Sequence, residues 1–555
     1  MDKHHSREGI GHTSLQRQVL ADHAGFSRLT GDAAQLLLVI IISFRSEIGI
    51  PGPAIRDISV FRRSILGIHK IDYLRILKYN ISSTMTLQGG FNMQWDKLLS
   101  DGHYSDANSR EQSLFRSDYD TIICSTLFRR LQDKAQVFPL DEDDYVRTRL
   151  THSLEVSAIG KKLGEYVFSK LKKENKDAWF ATHTEKDFSD VLLCAGLVHD
   201  IGNPPFGHFG EYSIREWFQK NLHDLYMGGR RVTDILSQWQ IQDLLHFEGN
   251  AQSIRLLSKT PYLGAYNGFD LSYKVLGSII KYPVSSQELS GSRYKKIGYH
   301  YCERELFEKL SAAMGLNGAR HPLSFLLEAA DDIAYRTSDL EDAMVKKVIS
   351  YQQITGMFKN GGFSGKHNKD YDMDSNTCMS KLSQFYREAI DNKVRNPELT
   401  AVQRWTQYIQ EIMIEEAGES FARHYEELMN GDFNGDLFDD TFSGYMIQAI
   451  SELSEKYIYT SSVKTKTELF GRRVIHSLLD QFLPAVLIYD TEESMTFIQR
   501  RTVDTVSNFY KTMYHEQAKG KSESDRLYLR ILMITDFISG MTDNYAKRLY
   551  RELNV

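Results

Sequence analysis

The stretch HDIGNPPFGHFGE, residues 199–211, places two histidines and two acidic residues close together around two prolines. His199 and Asp200 follow an apolar run, which predicts that they end a buried helix. The prolines stiffen the next turn, and His208 and Glu211 follow it, three residues apart. An ionisable pair at the end of an apolar helix is costly to bury without a metal or a charged partner. The stretch therefore predicts a reactive site at a helix end, with a rigid turn behind it.

Apolar residues recur at helical spacing on both sides of this stretch. Residues 119–138 carry them three or four positions apart, and residues 151–173 repeat the pattern. Ser189 is a residue type that caps helix N-termini, and it marks the predicted start of the helix that ends at His199. Strand–helix alternation and internal repeats are not evident in the sequence, which predicts an all-α, mostly helical fold. Further helices are predicted at 322–344, 471–483 and 527–550.

The length of the chain, 555 residues, exceeds what one hydrophobic core usually supports, which predicts two or more lobes. A polar, glycine-rich segment at 359–377 is the predicted loop and lobe boundary. Residues 1–84 differ from the rest. Their apolar run at 34–44 is too short to span a bilayer and lacks the flanks of a signal peptide. Our hypothesis is that residues 1–84 are a dispensable N-terminal extension, of the kind that results when the translation start is assigned upstream of the native one.

Composition and charge are ordinary for a soluble globular protein. Hydrophobic residues make up 41% and charged residues 25% of the chain. The formal net charge of -6 gives no overall reason to expect nucleic-acid or membrane binding, and it leaves a local basic patch open. The four cysteines are scattered without CxxC spacing, which indicates buried thiols in a reducing compartment. The prediction is a cytoplasmic protein.

Metal-ligating residue types stand at three places along the chain. His152 lies on a predicted helix, His199 and Asp200 end the next one, and Asp331 lies on a third. Two imidazoles and two carboxylates form a mixed nitrogen and oxygen set, which suits a divalent ion such as Mn, Fe, Ni, Zn or Mg. A single histidine on a helix is more often a satisfied core or surface residue. The adjacent His-Asp pair is what favours a metal site.

The order H…HD…D, with the stretch 199–211 intact, resembles the HD-domain superfamily of metal-dependent phosphohydrolases. Within it, the chain resembles the bacterial deoxyguanosinetriphosphate triphosphohydrolase (dGTPase) family. Five further stretches carry this resemblance in the family's order: LFRRLQDKAQVFPL, VRTRLTHSLEV, HFEGNAQ, KYP and EAADDIAY. They span roughly residues 110–345, and ELFGRRVIHSLLDQF and DFISGMTDNYA extend the match more weakly. The resemblance implies an HD-type helical catalytic core over 85–355. It also implies a helical C-terminal region over 356–555 that completes the substrate site and makes oligomer contacts.

The resemblance implies four metal ligands: His152, His199, Asp200 and Asp331. Asp331 and its neighbour Asp332 compete for the last role. Asp331 shares one stripe of its helix with the residues four and eight positions later, as the family's ligand does, whereas Asp332 points about a quarter turn away. We therefore expect Asp331 to bind the metal, and Asp332 to be either a solvated carboxylate or one that contacts a metal ligand without binding the metal. Mg or Mn is the expected ion, and Fe, Ni and Zn remain open.

The reaction implied is hydrolysis of a deoxynucleoside triphosphate by water attack at the α-phosphorus, which releases the deoxynucleoside and tripolyphosphate. His208 is implied as the general acid or base, because imidazole exchanges protons near neutral pH. Glu211 is implied as the carboxylate that orients it. Substrate contacts are implied for the sugar at Gln136, Tyr335 and Asp339, and for the phosphates at Arg149, His246 and Lys281. For Lys281, an ordinary surface charge is a nearly equal alternative.

Other readings of the resemblance stay open. The substrate is dGTP or a broader set of dNTPs, and some family members need a nucleotide activator. The family forms hexamers or tetramers, and some members bind single-stranded DNA, so a homo-oligomer is expected and single-stranded DNA is a candidate partner. Related enzymes act on ribonucleotide alarmones or nucleoside monophosphates. A non-catalytic nucleotide or single-stranded-DNA sensor of the same fold is the alternative from another class, and no membrane partner is expected.

Overall fold

In a computed structural model of the protein, helices form nearly all the regular structure of the residues that are described. These residues are 92–104, 117–141, 143–262, 268–358, 367–368 and 373–554. The predicted all-α, mostly helical fold is confirmed. The predicted extension, residues 1–84, lies outside the described residues.

The first part of the described chain builds the region around the quoted stretch. Its helices are α1 (Trp95–Leu98), α2 (Asp118–Cys124), α3 (Thr126–Arg130), α4 (Arg149–Lys173), α5 (Trp179–Thr182), α6 (Lys186–Val198), α7 (Gly207–Asn221), α8 (Val232–Ile235), α9 (Gln238–Leu245), α10 (Gly249–Lys259), α11 (Tyr273–Ile279), α12 (Arg304–Met314) and α13 (Pro322–Val345). Short 3-10 turns are Leu131–Asp133, Leu222–Asp224 and Tyr301–Glu303. Strands β1 (Tyr226–Met227) and β2 (Arg230–Arg231) pair antiparallel.

The second part adds ten further described helices. They are α14 (Tyr351–Met357), α15 (Ser375–Asp391), α16 (Pro397–Arg423), α17 (Tyr425–Asn430), α18 (Phe442–Leu453), α19 (Ser462–Val486), α20 (Phe497–Thr505), α21 (Asn508–Ala518), α22 (Glu523–Ser539) and α23 (Asp543–Asn554). A π-helical turn, Ser454–Ile458, follows α18. Strands β3 (His367–Asn368) and β4 (Met373–Asp374) pair antiparallel within the predicted boundary segment, whose residues 359–366 and 369–372 lie outside the described residues.

Helices α4, α6 and α13 pack against one another, and α16 covers α4 and α13. The start of α4 is fixed by Thr148, whose side chain accepts a hydrogen bond from the backbone N–H of Thr151. Pro322 opens α13 at a position where helices tolerate proline. Among the described residues no helix is long and apolar enough to cross a membrane.

Three local predictions were wrong. The helix predicted over 527–550 is interrupted, because α22 ends at Ser539 and α23 begins at Asp543. The helix predicted over 119–138 is interrupted at Ser125, which has extended backbone and caps α3 by accepting from the N–H of Phe128. The helix that ends at His199 begins at Lys186, and Ser189 lies inside it, not at its N-terminus. Ser189 is buried against α4, so its small size serves packing where a cap was predicted.

The two halves of the sequence are joined by a buried charge network. Arg255 on α10 forms two hydrogen bonds with the carboxylate of Asp536 on α22, at 2.8 and 2.7 Å. It also contacts Glu303 at 3.1 Å. All three side chains are at most 1% exposed, so each charge depends on the others for compensation. Tertiary contacts accordingly group Phe91–Val555 into one compact unit. The functional division at residue 355 stays a prediction.

We expect Gly196→Ala to destabilise the protein, although alanine is the better helix former by up to about 1 kcal/mol. A Cβ at Gly196 on α6 would lie 2.6 Å from the backbone of Ser157 on α4. Overpacking of this kind costs about 1–3 kcal/mol, which exceeds the gain in helix propensity.

Gly356→Ala on α14 is the matched control, because a Cβ there meets no atom within 4 Å. Urea-induced unfolding followed by circular dichroism measures both variants. An unchanged or increased free energy of unfolding for Gly196→Ala would contradict the close approach of α4 and α6.

Candidate active site

Three of the predicted metal ligands meet where α4 faces the end of α6. One ligand atom each from His152, His199 and Asp200 lies within 4.8 Å of the others. Asp331 on α13 reaches the same place, with its Oδ1 3.0 Å from Nε2 of His152 and 3.6 Å from Nε2 of His199. The structure thus brings together all four side chains, which come from three helices.

The hydrogen bonding of His199 leaves one ring nitrogen for a metal. Its Nδ1 lies 2.7 Å from the carbonyl oxygen of Gly196, so Nδ1 carries the proton and donates. Its Nε2 is buried and has no hydrogen-bond partner among the described residues. A buried lone pair beside two carboxylates and a second imidazole fits a divalent ion with mixed nitrogen and oxygen ligands. The donor set does not choose between Mg, Mn, Fe, Ni and Zn.

Charges in this cluster compensate one another. Burial disfavours the charged form of His199, yet Asp200 and Asp331 raise the pKa of His199 to about 9. Burial also disfavours ionised Asp200, but the neighbouring guanidinium of Arg149 lowers the pKa of Asp200 below its usual range. The hydrogen bond with His152 and the nearby imidazole of His199 likewise overcome burial and hold the pKa of Asp331 well below its usual range. Both carboxylates are therefore ionised at neutral pH and suited to a cation.

The turn after Asp200 is held by hydrogen bonds from distant parts of the chain. The side-chain amide of Asn203 donates to Asp200 Oδ1, and Nζ of Lys134 donates to the carbonyl oxygens of Asn203, at 2.6 Å, and of Ser539, at 2.7 Å. Lys134 is buried, and burial together with Arg149 lowers its pKa to about 7. Gly202 is also required here, because a Cβ would lie 2.2 Å from the backbone nitrogen of Ser253 on α10.

Asp543, the first residue of α23, fastens the far end of the same turn. Its Oδ1 accepts from the backbone N–H of Phe206 at 2.9 Å, and its Oδ2 accepts from that of Ala135 at 3.0 Å. Phe206 has a φ of 65°, which is strained for a bulky residue, and it immediately precedes α7. The C-terminal helix therefore supports the backbone conformation from which α7 and His208 start.

His208 and Glu211 form the predicted pair on the first turns of α7. Nδ1 of His208 lies 3.8 Å from Oε2 of Glu211; the imidazole is 72% exposed and the carboxylate 2% exposed. Arg215 Nη1 contacts Glu211 Oε1 at 2.6 Å. Burial would raise the pKa of Glu211, but His208 and Lys296 lower it to about 2. A buried anion thus stands behind an accessible imidazole.

The predicted stripe on α13 continues into a tyrosine pair. The hydroxyl of Tyr335 lies 2.5 Å from that of Tyr459, which donates to Oδ2 of Asp339 at 2.8 Å. Oδ1 of Asp339 is buried without a hydrogen-bond partner in the described part of the chain. Burial raises the pKa of Asp339 to about 7, against the opposing effect of the Tyr459 hydrogen bond. Tyr459 follows the π-helical turn and was missed from the sequence, where no motif marks it.

The other predicted substrate contacts are in varied surroundings. Oε1 of Gln136 and Nε of Arg149 are buried with no hydrogen-bond partner among residues that the structure describes, while Nη1 of Arg149 donates to Asp200. Nδ1 of His246 lies 2.9 Å from the carbonyl oxygen of Gln242. Nζ of Lys281 forms an ion pair with Glu328 at 2.5 Å. The predicted partner of this ammonium group was a substrate phosphate, and in the structure its partner is a carboxylate.

Two observations separate Asp331 from Asp332. Asp331 contacts both histidines, whereas Asp332 forms a 3.7 Å ion pair with Arg336 one turn later. Sequence reasoning also missed three residues around Glu211, namely Arg215, Glu248 and Lys296. Glu248 belongs to the quoted HFEGNAQ stretch, but its spacing alone does not show that it faces Glu211.

Comparison with known proteins gives one consistent family. The HD domain family matches residues 149–236. The chain is 40% identical over 473 residues to the deoxyguanosinetriphosphate triphosphohydrolase-like protein of Listeria monocytogenes, covering 83% of this chain and 99% of the relative. It is 33% identical over 480 residues to the protein of that name from Pseudomonas aeruginosa, covering 83% and 98%. The deoxyguanosinetriphosphate triphosphohydrolase of Salmonella schwarzengrund is 31% identical over 493 residues, covering 79% and 93%.

We predict that Asp331→Asn lowers the affinity for a divalent ion at least about tenfold, because an amide oxygen carries no charge to offset that of the ion. Isothermal titration with Mn²⁺ on the metal-free protein measures this. Asp332→Asn is the control, with the same chemical change on the next residue. Equal affinity in both variants would contradict Asp331 as a ligand.

Proposed function

The chain belongs to the deoxyguanosinetriphosphate triphosphohydrolase family of HD-domain phosphohydrolases, and from this we propose that it hydrolyses dGTP to deoxyguanosine and tripolyphosphate. One observation carries the proposal. A cluster of two histidines and two carboxylates that fits a divalent ion is connected by a single rigid turn to an accessible imidazole backed by a buried carboxylate. That pairing suits attack of water on a phosphate ester, where a metal neutralises charge and a separate group moves a proton.

The metal ligands in this proposal are His152, His199, Asp200 and Asp331. A divalent ion bound there supplies a Lewis acid, which draws charge from the α-phosphate and lowers the pKa of the attacking water. The protein orients the substrate around it. Arg149 serves two purposes, since Nη1 holds Asp200 in place and the unpartnered Nε is free to donate to a phosphate oxygen.

His208 exchanges the proton in this reaction. Glu211 lies on the Nδ1 side of the ring and fixes the proton there, so Nε2 is the atom that faces the substrate. As the bond from the water oxygen to the α-phosphorus forms, the bond from phosphorus to the 5′-oxygen breaks. The leaving 5′-oxygen takes a proton from the imidazolium of His208 and departs as the 5′-hydroxyl of the nucleoside, and the proton released by the attacking water passes to solvent.

The deoxyribose is assigned to the face of α13. The buried Oδ1 of Asp339 is an acceptor for the 3′-hydroxyl, and the N–H groups of the Gln136 side-chain amide are donors for an oxygen atom of the sugar. Tyr335 and Tyr459, whose hydroxyls share a hydrogen bond, form the wall against which a 2′-hydroxyl would clash. Guanine preference is supported by the names of the relatives, and a broader dNTP range with a nucleotide activator is the alternative.

The products decide between the candidate activities. We expect each active dNTP, incubated with the protein and Mn²⁺ or Mg²⁺, to yield tripolyphosphate and the deoxynucleoside. In water enriched in ¹⁸O, the label should enter tripolyphosphate, because the attack is at the α-phosphorus. Pyrophosphate with a monophosphate would contradict the proposed cleavage. Absence of product with every dNTP, alone and in mixtures, would favour a nucleotide sensor.

We expect His208→Ala to lower kcat by about 10²–10⁴, the usual contribution of a general acid or base, while metal affinity is unchanged. Rates at saturating dGTP and titration calorimetry with Mn²⁺ measure the two quantities. His223→Ala is the control, because this exposed histidine lies just beyond the other end of α7. A His208→Ala variant with near-normal kcat would remove His208 from the reaction.

A further inference from the structure

Glu211 does not stand alone behind His208. The carboxylate of Glu248, which directly precedes α10, is likewise 2% exposed and shares both of its cations. Nη1 of Arg215 lies 2.6 Å from Glu211 and 3.6 Å from Glu248. Nζ of Lys296 lies 3.1 Å from Glu248 and 3.9 Å from Glu211. Two buried acids and two cations therefore form one electrostatic unit next to the imidazole.

The two acids hold their protons with very different strength. Burial and the nearby charge of Glu211 raise the pKa of Glu248 to about 7. The pKa of Glu211 is about 2, because His208 and Lys296 outweigh its burial. Carboxylates that share a buried site resist being ionised together, so a proton held by the pair belongs to Glu248.

The hydrogen bonds of Glu248 leave a place for that proton. Its Oε1 accepts from the side-chain amide of Asn250 at 2.8 Å and from Lys296 at 3.1 Å. Its Oε2 is buried, and no described residue forms a hydrogen bond with it. An ionised buried oxygen without a donor is costly, whereas a protonated one becomes a donor itself.

We propose that Glu248 is a positioning residue that is protonated in the working enzyme and donates a hydrogen bond to Glu211, which holds Glu211 against His208. The proposal rests on the roles proposed for His208 and Glu211. In this arrangement Glu211 remains the only anion that faces the imidazole. Ionisation of Glu248 places a second negative charge beside Glu211 and removes the hydrogen bond that orients it.

The groups that face Glu248 determine how its ionisation depends on pH. The charged and titratable ones are Glu211 and Arg215 from α7, and Tyr282 and Lys296 from the segment between α11 and α12. Lys296 opposes the rise in the pKa of Glu248. As pH rises through about 7, Glu248 loses its proton, so kcat is expected to fall on the alkaline side. Removing Lys296 is expected to move this fall to higher pH.

Glu248→Gln tests the hydrogen bond, because the amide stays neutral and can still donate. We expect kcat of this variant to stay within roughly tenfold of the native value at pH 6, a smaller loss than removal of a general acid causes. We also expect the alkaline fall in kcat to become less steep, because the contribution of Glu248 is lost and only the loss of the general acid's proton remains. An unchanged alkaline fall, or a loss of kcat of about 100-fold or more at every pH, would overturn the proposal.

Lys296→Met and Lys295→Met form a matched pair that keeps Glu248 intact. Both remove one positive charge from the same segment, but Lys295 is exposed and Lys296 contacts the acids. The alkaline fall in kcat at saturating dGTP should move to higher pH in Lys296→Met and stay in place in Lys295→Met. A fall that stays in place or moves to lower pH in Lys296→Met would contradict the proposal, even if Glu248→Gln does not fold.

Infrared difference spectroscopy on the substrate-free, full-length protein separates this proposal from the proposed function. A carboxylic acid absorbs apart from a carboxylate, so the difference between the native protein and Glu248→Gln is expected to contain a band that titrates near neutral pH, while the contribution of Asp339 is common to both and cancels. Presence of this band without dNTP hydrolysis would support the carboxyl pair and reject the proposed function. Hydrolysis of dGTP by a protein without this band would reject protonated Glu248 and leave the proposed function intact.

Discussion

A carboxylate buried among apolar helices costs several kcal/mol unless a cation or hydrogen-bond donors compensate it, and the structure depends on how that compensation is arranged. Asp200 is compensated by Arg149, Glu211 by Arg215 and Lys296, and Asp536 by Arg255. Most of these cations lie on a different segment from the carboxylate that they contact, and Arg215 lies one helical turn after Glu211. Each ion pair therefore also fixes the relative position of the two segments or turns that it joins. The same interactions that make the charges tolerable align the helices that carry them.

This arrangement connects the C-terminal region to the proposed active site. Ser539 and Asp543 hold the turn between the metal ligands and His208, and Tyr459 completes the polar stripe of α13. These contacts are hydrogen bonds of 2.7–2.9 Å to backbone groups or to a single carboxylate oxygen. These hydrogen bonds determine where the turn and the side chains of α13 lie, and they contribute little hydrophobic stabilisation. The proposed metal ligands come from the first half of the described chain, and hydrogen bonds from the second half hold the turn beside them.

The sequence predicted what is encoded locally. Helical periodicity placed His152, His199 and Asp331 on helices, and the separation of Asp331 from Asp332 followed from the geometry of one helix. Ser125 was placed inside a helix but caps one, and Ser189 was predicted as a cap but lies inside a helix. Serine serves both in helix caps and at close helix contacts, so the sequence alone does not distinguish the two roles. Glu248 and Tyr459 were missed because their importance lies in partners that are distant in the sequence, which no spacing rule reveals.

The contact between Asp543 and the backbone of Phe206 has a consequence for the order in which the protein is made. Ribosomes synthesise His199, Asp200 and the proline turn more than three hundred residues before Asp543, whose hydrogen bond joins residues 337 positions apart. The amino-terminal part of a nascent chain can form helices early, but the turn cannot reach its final conformation until the last helix emerges. Completion of the site is thus coupled to synthesis of α23, so a nascent chain that has not reached Asp543 lacks the hydrogen bond that fixes the turn.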